Sequence, residues 1–315
     1  MAPGNVAVIV GASKGIGLEL ARIYLSQTNL QLVALSRNAD QARKNILNTS
    51  SSSPLKVLFD KEKKGGNGDA AKPHAQQIDA SELSHLDSSR LTTIDIDIKK
   101  EDSIKSASED IRKKFGNDSL RFLFNVAGVL NVEKNIGQVE YEEMLEQFQI
   151  NTFAPLLTSK HFIPLFAKKL QANGEDDLSH GLLPHNLGVV ANMSARVGSI
   201  ADNEKGGWYS YRSSKAAQNQ ITRSLAHEFF MKKTPALCVG LHPGTVRTSL
   251  SEAFTGGPGG KKQPQSNEKE TDEQRWARGE FEADEAAANL TQVIAQLKQE
   301  QSGSIWDYKG DKVPY

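Results

Sequence analysis

Tyr211 and Lys215 place a phenol and an ammonium four residues apart, in the run Tyr211-Arg212-Ser213-Ser214-Lys215. On a helix this spacing stacks both side chains on one face. A tyrosine ordinarily titrates near ~10 and is a poor acid or base at neutral pH. A cation held beside it favours the phenolate and lowers that value. The pair therefore has the makings of an acid/base device. The same spacing also describes a half-buried tyrosine beside a solvated lysine, so the surrounding elements must decide. Tyr209 offers a contrast. Six residues before Lys215, it lies about 600° around a helix that turns roughly 100° per residue, and so faces away. With Trp208 it reads as pocket wall.

The elements that must carry this pair alternate between short β-branched runs and longer amphipathic stretches. Strands are expected at Val6–Val10, Gln31–Ser36, Leu91–Ile98, Leu120–Val126, Gly188–Met193, Ala236–His242 and Ser304–Tyr308. Helices are expected at Ile16–Leu25, Asp102–Phe115, Tyr209–Phe230 and Ala283–Gln299. Tyr141–Ala167 reads as one long helix, or a pair kinked around Pro155 and Pro164. Such alternation implies an α/β fold with parallel strands, crossover helices and cover on both faces. Three stretches read as surface insertions into a single domain: residues 48–89, with a serine run and Lys61–Lys64; 173–186, with Glu175-Asp176-Asp177; and 256–272, rich in Gly, Pro, Lys and Gln. Most of the first is expected to be a mobile loop.

The first strand ends in Gly11-Ala12-Ser13-Lys14-Gly15-Ile16-Gly17. Glycines at these points allow a tight turn and close approach of a ligand to the backbone. The helix that follows aims its free N–H groups at a phosphate. The spacing differs from the commoner two-glycine dinucleotide fingerprint, and no Lys-Ser/Thr follows to make a P-loop. The second strand ends in Leu35-Ser36-Arg37-Asn38, where a doubly wound fold meets the adenosine ribose. An acid there would bind the two ribose hydroxyls. Arg37, with Lys14 in the glycine turn, favours a 2′-phosphate and hence NADP(H).

These motifs together resemble the short-chain dehydrogenase/reductase family. The glycine turn matches, with Gly11, Ser13, Lys14, Ile16 and Gly17 as implied cofactor contacts. Asp97-Ile98 resembles the pair that meets the adenine. Asn125-Val126-Ala127-Gly128 resembles the Asn-Asn-Ala-Gly segment, with Val126 in place of the second Asn; the resemblance implies a segment that supports the sheet and lines the cofactor path, with contacts from Asn125 and Ala127. Pro243-Gly244-Thr245-Val246-Arg247-Thr248 resembles the segment at the nicotinamide end, implicating Val246 and Thr248. The resemblance implies a catalytic set of Asn151, Ser194, Tyr211 and Lys215, with Tyr211 and Lys215 also touching the cofactor. In that scheme Ser194 holds the carbonyl and Tyr211 moves the proton. Lys215 tunes the tyrosine, and Asn151 holds a relay water. His242-Pro243-Gly244-Thr245-Val246 and the closing Asp307-Tyr308-Lys309-Gly310 resemble the C-factor and sniffer-type carbonyl reductase branch. The implied fold is one Rossmann-like doubly wound domain over residues 1–315. The implied activity is NADP(H)-dependent hydride transfer between nicotinamide and a carbonyl or alcohol. The alternative is a catalytically silent NADP-binding regulatory or signalling protein of the same fold. Departures are the long loop after the second strand and the Ala201–Gly207 extension before Tyr211.

Composition sets the outer limits. Lys plus Arg and Asp plus Glu both number 38, which argues against nucleic acid or acidic membrane as partner. No run is long enough to span a bilayer. Cys238 is the single cysteine, so no internal disulfide can form, and a reducing compartment is expected. Lys312-Val313-Pro314-Tyr315 matches no peroxisomal or reticulum signal, so a cytoplasmic location is expected. No metal-ligand spacing is visible. His161, His227 and His242 read as packing or surface residues. The resemblance implies a homodimer or homotetramer through the helices that carry Asn151 and Tyr211.

Overall fold

The computed structural model describes residues 3–48, 55–57, 76–78, 86–170, 177–252 and 271–315. β1 (Val6–Val10) is buried throughout, as a parallel strand covered on both faces must be. Its alternate side chains build two cores. Ala7 and Ile9 pack with Leu20 and Tyr24 of α1 (Gly15–Gln27), with Phe122 and Phe124 of β6 (Leu120–Asn125), and with Leu290 and Ile294 of α8 (Ala283–Ala295). Val6, Val8 and Val10 face the other way. They pack with Ile104 and Ile111 of α3 (Glu101–Phe115), Phe162 of α5 (Ala154–Phe162) and Phe229 of α6 (Tyr209–Lys232). Each large side chain buried this way contributes roughly 1.5–3 kcal/mol relative to leaving it exposed.

The remaining strands are β2 (Gln31–Ser36), β5 (Leu91–Asp95), β7 (Gly188–Met193), β8 (Ala236–His242), β11 (Ile305–Asp307) and β12 (Lys312–Val313). Among the described residues the main sheet runs β12-β11-β8-β7-β6-β1-β2-β5. Every pairing is parallel except β11 with β12, which closes one edge. Chain order reverses between β1 and β6, so the carboxyl ends of the central strands open a crevice there. β9 (Thr245–Val246) pairs in parallel with β10 (Glu280–Phe281) beside that crevice.

The structure departs from the sequence reading in several places. α2 (Ala39–Leu47) was not expected; Asn38 caps it by accepting the Gln41 N–H at 2.8 Å. Of the two readings of 141–167, one helix or a pair kinked at the prolines, the structure shows a broken stretch: α4 (Tyr141–Phe148), a π-turn over Gln149–Phe153, α5, and a 3₁₀ turn over Ile163–Leu165. The Ala154 N–H bonds Gln149 O, five residues back, and Pro155 has no N–H to offer the Asn151 carbonyl. Within the first insertion, β3 (Leu55–Val57) and β4 (Gln76–Ile78) form an antiparallel pair. Residues 49–54, 58–75, 79–85, 173–176 and 256–270, including Lys61–Lys64, lie outside the described residues. The described end of the second insertion is partly core, with Leu183 buried and Asp177 paired with Arg121. At the end of the third, Thr271 and Gln274 form a capping box that opens α7 (Asp272–Ala277).

Candidate active site

The cleft begins where β1 meets α1. Gly11 has φ +95°, and a Cβ there would lie 2.8 Å from the Ala127 backbone nitrogen. A Cβ on Gly17 would lie 2.2 Å from the Gly11 carbonyl oxygen. The turn thus packs backbone on backbone. α1 starts without a side-chain cap and without an acid in its first turn. Its leading N–H groups and the positive end of its dipole are available at the cleft floor, where Gly15, Ile16 and Gly17 lie. Gly17→Ala is expected to cost roughly 1–3 kcal/mol by denaturant titration, because the obstructing atom belongs to the backbone. An unaltered unfolding midpoint contradicts that contact.

The cleft has a volume of about 1010 Å³ and runs from this turn across the strand ends to α6. Ser13, Lys14, Arg37, Asp97 and Ile98 line one end; Ala127, Val246 and Thr248 line its middle; Ser194, Tyr211 and Lys215 line the other end. Arg37 is exposed at the tip of β2. Lys14 reaches across the cleft, and its Nζ donates to Ser249 Oγ at 2.8 Å. Asp97 and Ile98 lie past the end of β5, in a turn where the Asp97 N–H donates to Ser103 Oγ.

At the other end three side chains converge from two elements. Ser194 follows β7, buried, and its Oγ donates to Asn219 Oδ1 at 2.6 Å. Tyr211 and Lys215 share one face of α6, with Lys215 Nζ 5.8 Å from the Tyr211 ring centre. Lys215 Nζ donates to the Met193 carbonyl at 2.6 Å and to Gln218 Oε1 at 3.2 Å. The start of α6 is held by Glu133, a buried carboxylate that accepts the Ser210 N–H at 2.9 Å and the Ser210 hydroxyl. A carboxylate at this position also complements the helix dipole.

Burial governs the titrations here. It raises the Tyr211 phenol above its ordinary value and lowers Lys215 to about 7. Loss of hydration is the cause of both shifts, and the Lys215 ammonium donates to two neutral carbonyl oxygens. A stability signature follows. Between about 7 and 10.5 the unfolded chain holds a Lys215 proton that the folded chain has released. Stability therefore rises with pH across that window. Below about 7 both states are protonated and the penalty is fully present. Relative to Lys215→Met, the wild type should gain stability as pH climbs from 7 to 10; a pH-independent difference contradicts the shift. His242, also on the cleft, is pushed down to about 4 by burial and by Arg196, and stays neutral.

Three of the expected residues are absent from the cleft lining. Asn125 lies beneath the cleft: its Nδ2 donates to Asn192 Oδ1 at 2.8 Å, and its Oδ1 accepts from Thr158 Oγ1 at 2.7 Å. It ties β6, β7 and α5 together and does not line the cleft. Asn151 is fully buried, and its side chain clamps the loop after β6. Its Oδ1 accepts the Val129 N–H at 3.0 Å, while its Nδ2 donates to Val129 O at 2.9 Å and Ser214 Oγ at 3.1 Å. Its side-chain amide is thus committed to the protein. Tyr209 is 41% exposed and is no part of the cleft wall, whereas Trp208 is. Sequence reading missed Asn219, Gln218 and Glu133. Gln218 and Asn219, three and four residues beyond Lys215 on the same helix, carried a local signal; Glu133 carried none.

The sheet order, the switch point and the glycine turn define a Rossmann-like domain with a nucleotide-type cleft. The short chain dehydrogenase family pattern matches residues 67–257, more than half of the chain. The C-signal protein of Myxococcus xanthus is 31% identical over 193 residues, which cover 61% of this chain and 91% of that protein. Carbonyl reductase Sniffer of D. melanogaster superposes with a TM-score of 0.69 at 25% identity, covering 99% of this chain and all of that one. The NADPH-bound carbonyl reductase from chicken fatty liver superposes with a TM-score of 0.68 at 22% identity, with the same coverage. The chain belongs to the short chain dehydrogenase family. No helix among the described residues is long and apolar enough to cross a membrane.

Proposed function

We propose that the chain is an NADP(H)-dependent oxidoreductase interconverting a carbonyl and an alcohol. The observation that carries this reading is the convergence of Ser194, Tyr211 and Lys215 at one end of a cleft whose other end holds the glycine turn, Lys14 and Arg37. The residues fit a dinucleotide: an uncapped helix N-terminus suits its phosphates, and two cations suit a 2′-phosphate. When bound, the nicotinamide supplies or accepts the hydride.

The chain supplies orientation and a proton. Swinging from Asn219 toward the cleft, the Ser194 hydroxyl donates to the substrate oxygen and fixes it beside Tyr211. Burial keeps Tyr211 protonated, so in the reductive direction it is an acid poised to give its proton to the developing alkoxide. Lys215 replenishes that proton. Its value of about 7 lets it exchange protons at neutral pH, and when charged it stabilises the phenolate left behind. We assign Asn151 a role through its backbone carbonyl, the acceptor for a relay water, while its amide holds the loop. Arg37 and Lys14 set the preference for NADP(H) over NAD(H).

The partner is a small carbonyl or alcohol, and the active form is a homodimer or homotetramer in the cytoplasm. Size-exclusion chromatography with light scattering tests the assembly. A carbonyl panel followed by NADPH absorbance tests the activity. A silent regulator of the same fold would bind NADPH and leave every carbonyl unreduced.

A further inference from the structure

We propose that Trp208 selects the substituent on the reacting carbonyl and favours a planar aromatic one. The proposal rests on the carbonyl-reducing reading above. Gly206, Gly207 and Trp208 are three consecutive left-handed residues, with φ of 61°, 66° and 50°. Glycine adopts this region freely, whereas a bulky aromatic residue is strained there and persists only when its surroundings hold it.

The surroundings do hold it. The Trp208 N–H donates to the Glu133 carbonyl at 2.7 Å, and the Trp208 carbonyl accepts the Arg212 N–H at 2.8 Å. Arg212 Nε donates to the Gly207 carbonyl at 3.0 Å. The Glu133 carboxylate, 1% exposed, grips Ser210 just beyond. The clamp delivers the indole to the cleft wall, its ring centre 6.2 Å from that of Tyr211 and the planes at 72°. Trp208, Leu130 and Val197 line the same cleft as Tyr211 and Ser194, and in this proposal one substituent of the carbonyl lies against the Trp208 ring beside Tyr211. Against an indole, a flat ring gains an aromatic contact that a saturated ring of the same size lacks. That gain is roughly 2- to 10-fold in selectivity.

Benzaldehyde and cyclohexanecarbaldehyde form the matched test, compared by kcat/KM with NADPH. Trp208→Leu should lower the benzaldehyde-to-cyclohexanecarbaldehyde ratio roughly 2- to 10-fold, with NADPH affinity unchanged. Trp208→Phe should keep most of the ratio. Glu133→Ala keeps the indole but removes the carboxylate that fixes Ser210 beside it, so the ring loses its fixed position and the ratio should fall in the same direction. An unchanged ratio in Trp208→Leu, or an equal fall for both aldehydes, overturns the assignment of Trp208 and leaves the carbonyl-reducing reading standing. A wild type that reduces neither aldehyde overturns both.

Discussion

Tyr211→Phe is expected to lower kcat by about 10²- to 10⁴-fold, the usual contribution of a positioned general acid, while NADPH binds as before. The substitution removes one oxygen and little else. Tyr211 is buried at the head of α6, edge-on to Trp208, so a phenylalanine ring can occupy the same place. Burial raises the phenol and keeps the proton on it at neutral pH, so the hydroxyl is present to be tested as the donor. Ser194 cannot substitute, because a serine hydroxyl is a far weaker acid. Stopped-flow hydride transfer and NADPH fluorescence titration separate chemistry from binding. Turnover within a few-fold of wild type would remove Tyr211 from the mechanism. A loss of NADPH binding along with activity would instead point to a packing role.

Arg37→Asp is expected to shift the NADPH-to-NADH ratio of kcat/KM by on the order of 100-fold toward NADH, since placing like charges together costs several kcal/mol. Arg37 stands exposed at the tip of β2 and lines the cleft. An aspartate there repels a 2′-phosphate and accepts hydrogen bonds from two ribose hydroxyls. Lys14 is the second cation, held by Ser249 across the cleft, and it should leave a residual preference that Lys14→Ala removes. The wild-type preference should weaken with added salt, because exposed charges are screened. An unchanged cofactor ratio would show that neither cation reads the phosphate.

The strands could be read directly because a parallel sheet buried on both faces writes itself as unbroken β-branched runs, as in Val6–Val10 and Ala236–His242. α2 escaped notice because its buried residues are only Ala39, Ala42 and Ile46, in a polar segment; the Asn38 cap with Gln41 three residues on was its one local sign. The prolines announced a break in the Tyr141–Ala167 helix. The π-turn around Asn151, however, depends on how the side chain of Asn151 docks on Val129, which no local pattern encodes. The site shows the same division. Tyr211, Lys215 and the glycine turn were legible because their chemistry depends on spacing within one element. Glu133 and the burial that shifts Tyr211 and Lys215 are tertiary facts, set by loops and layers far apart in the chain. Asn125 shows the same division: the motif names the residue, and only the packed sheet shows which partners it bonds, Asn192 and Thr158 below the cleft.

The most direct measurement is single-enzyme turnover of NADPH against a panel of aldehydes, ketones and quinones, with Tyr211→Phe run beside the wild type. The expected result is carbonyl-dependent NADPH oxidation by the wild type, slower with NADH, and abolished in Tyr211→Phe despite retained NADPH binding. NADPH bound tightly by both proteins, with no carbonyl reduced by either, would contradict the assignment and leave a nucleotide-binding protein without catalysis.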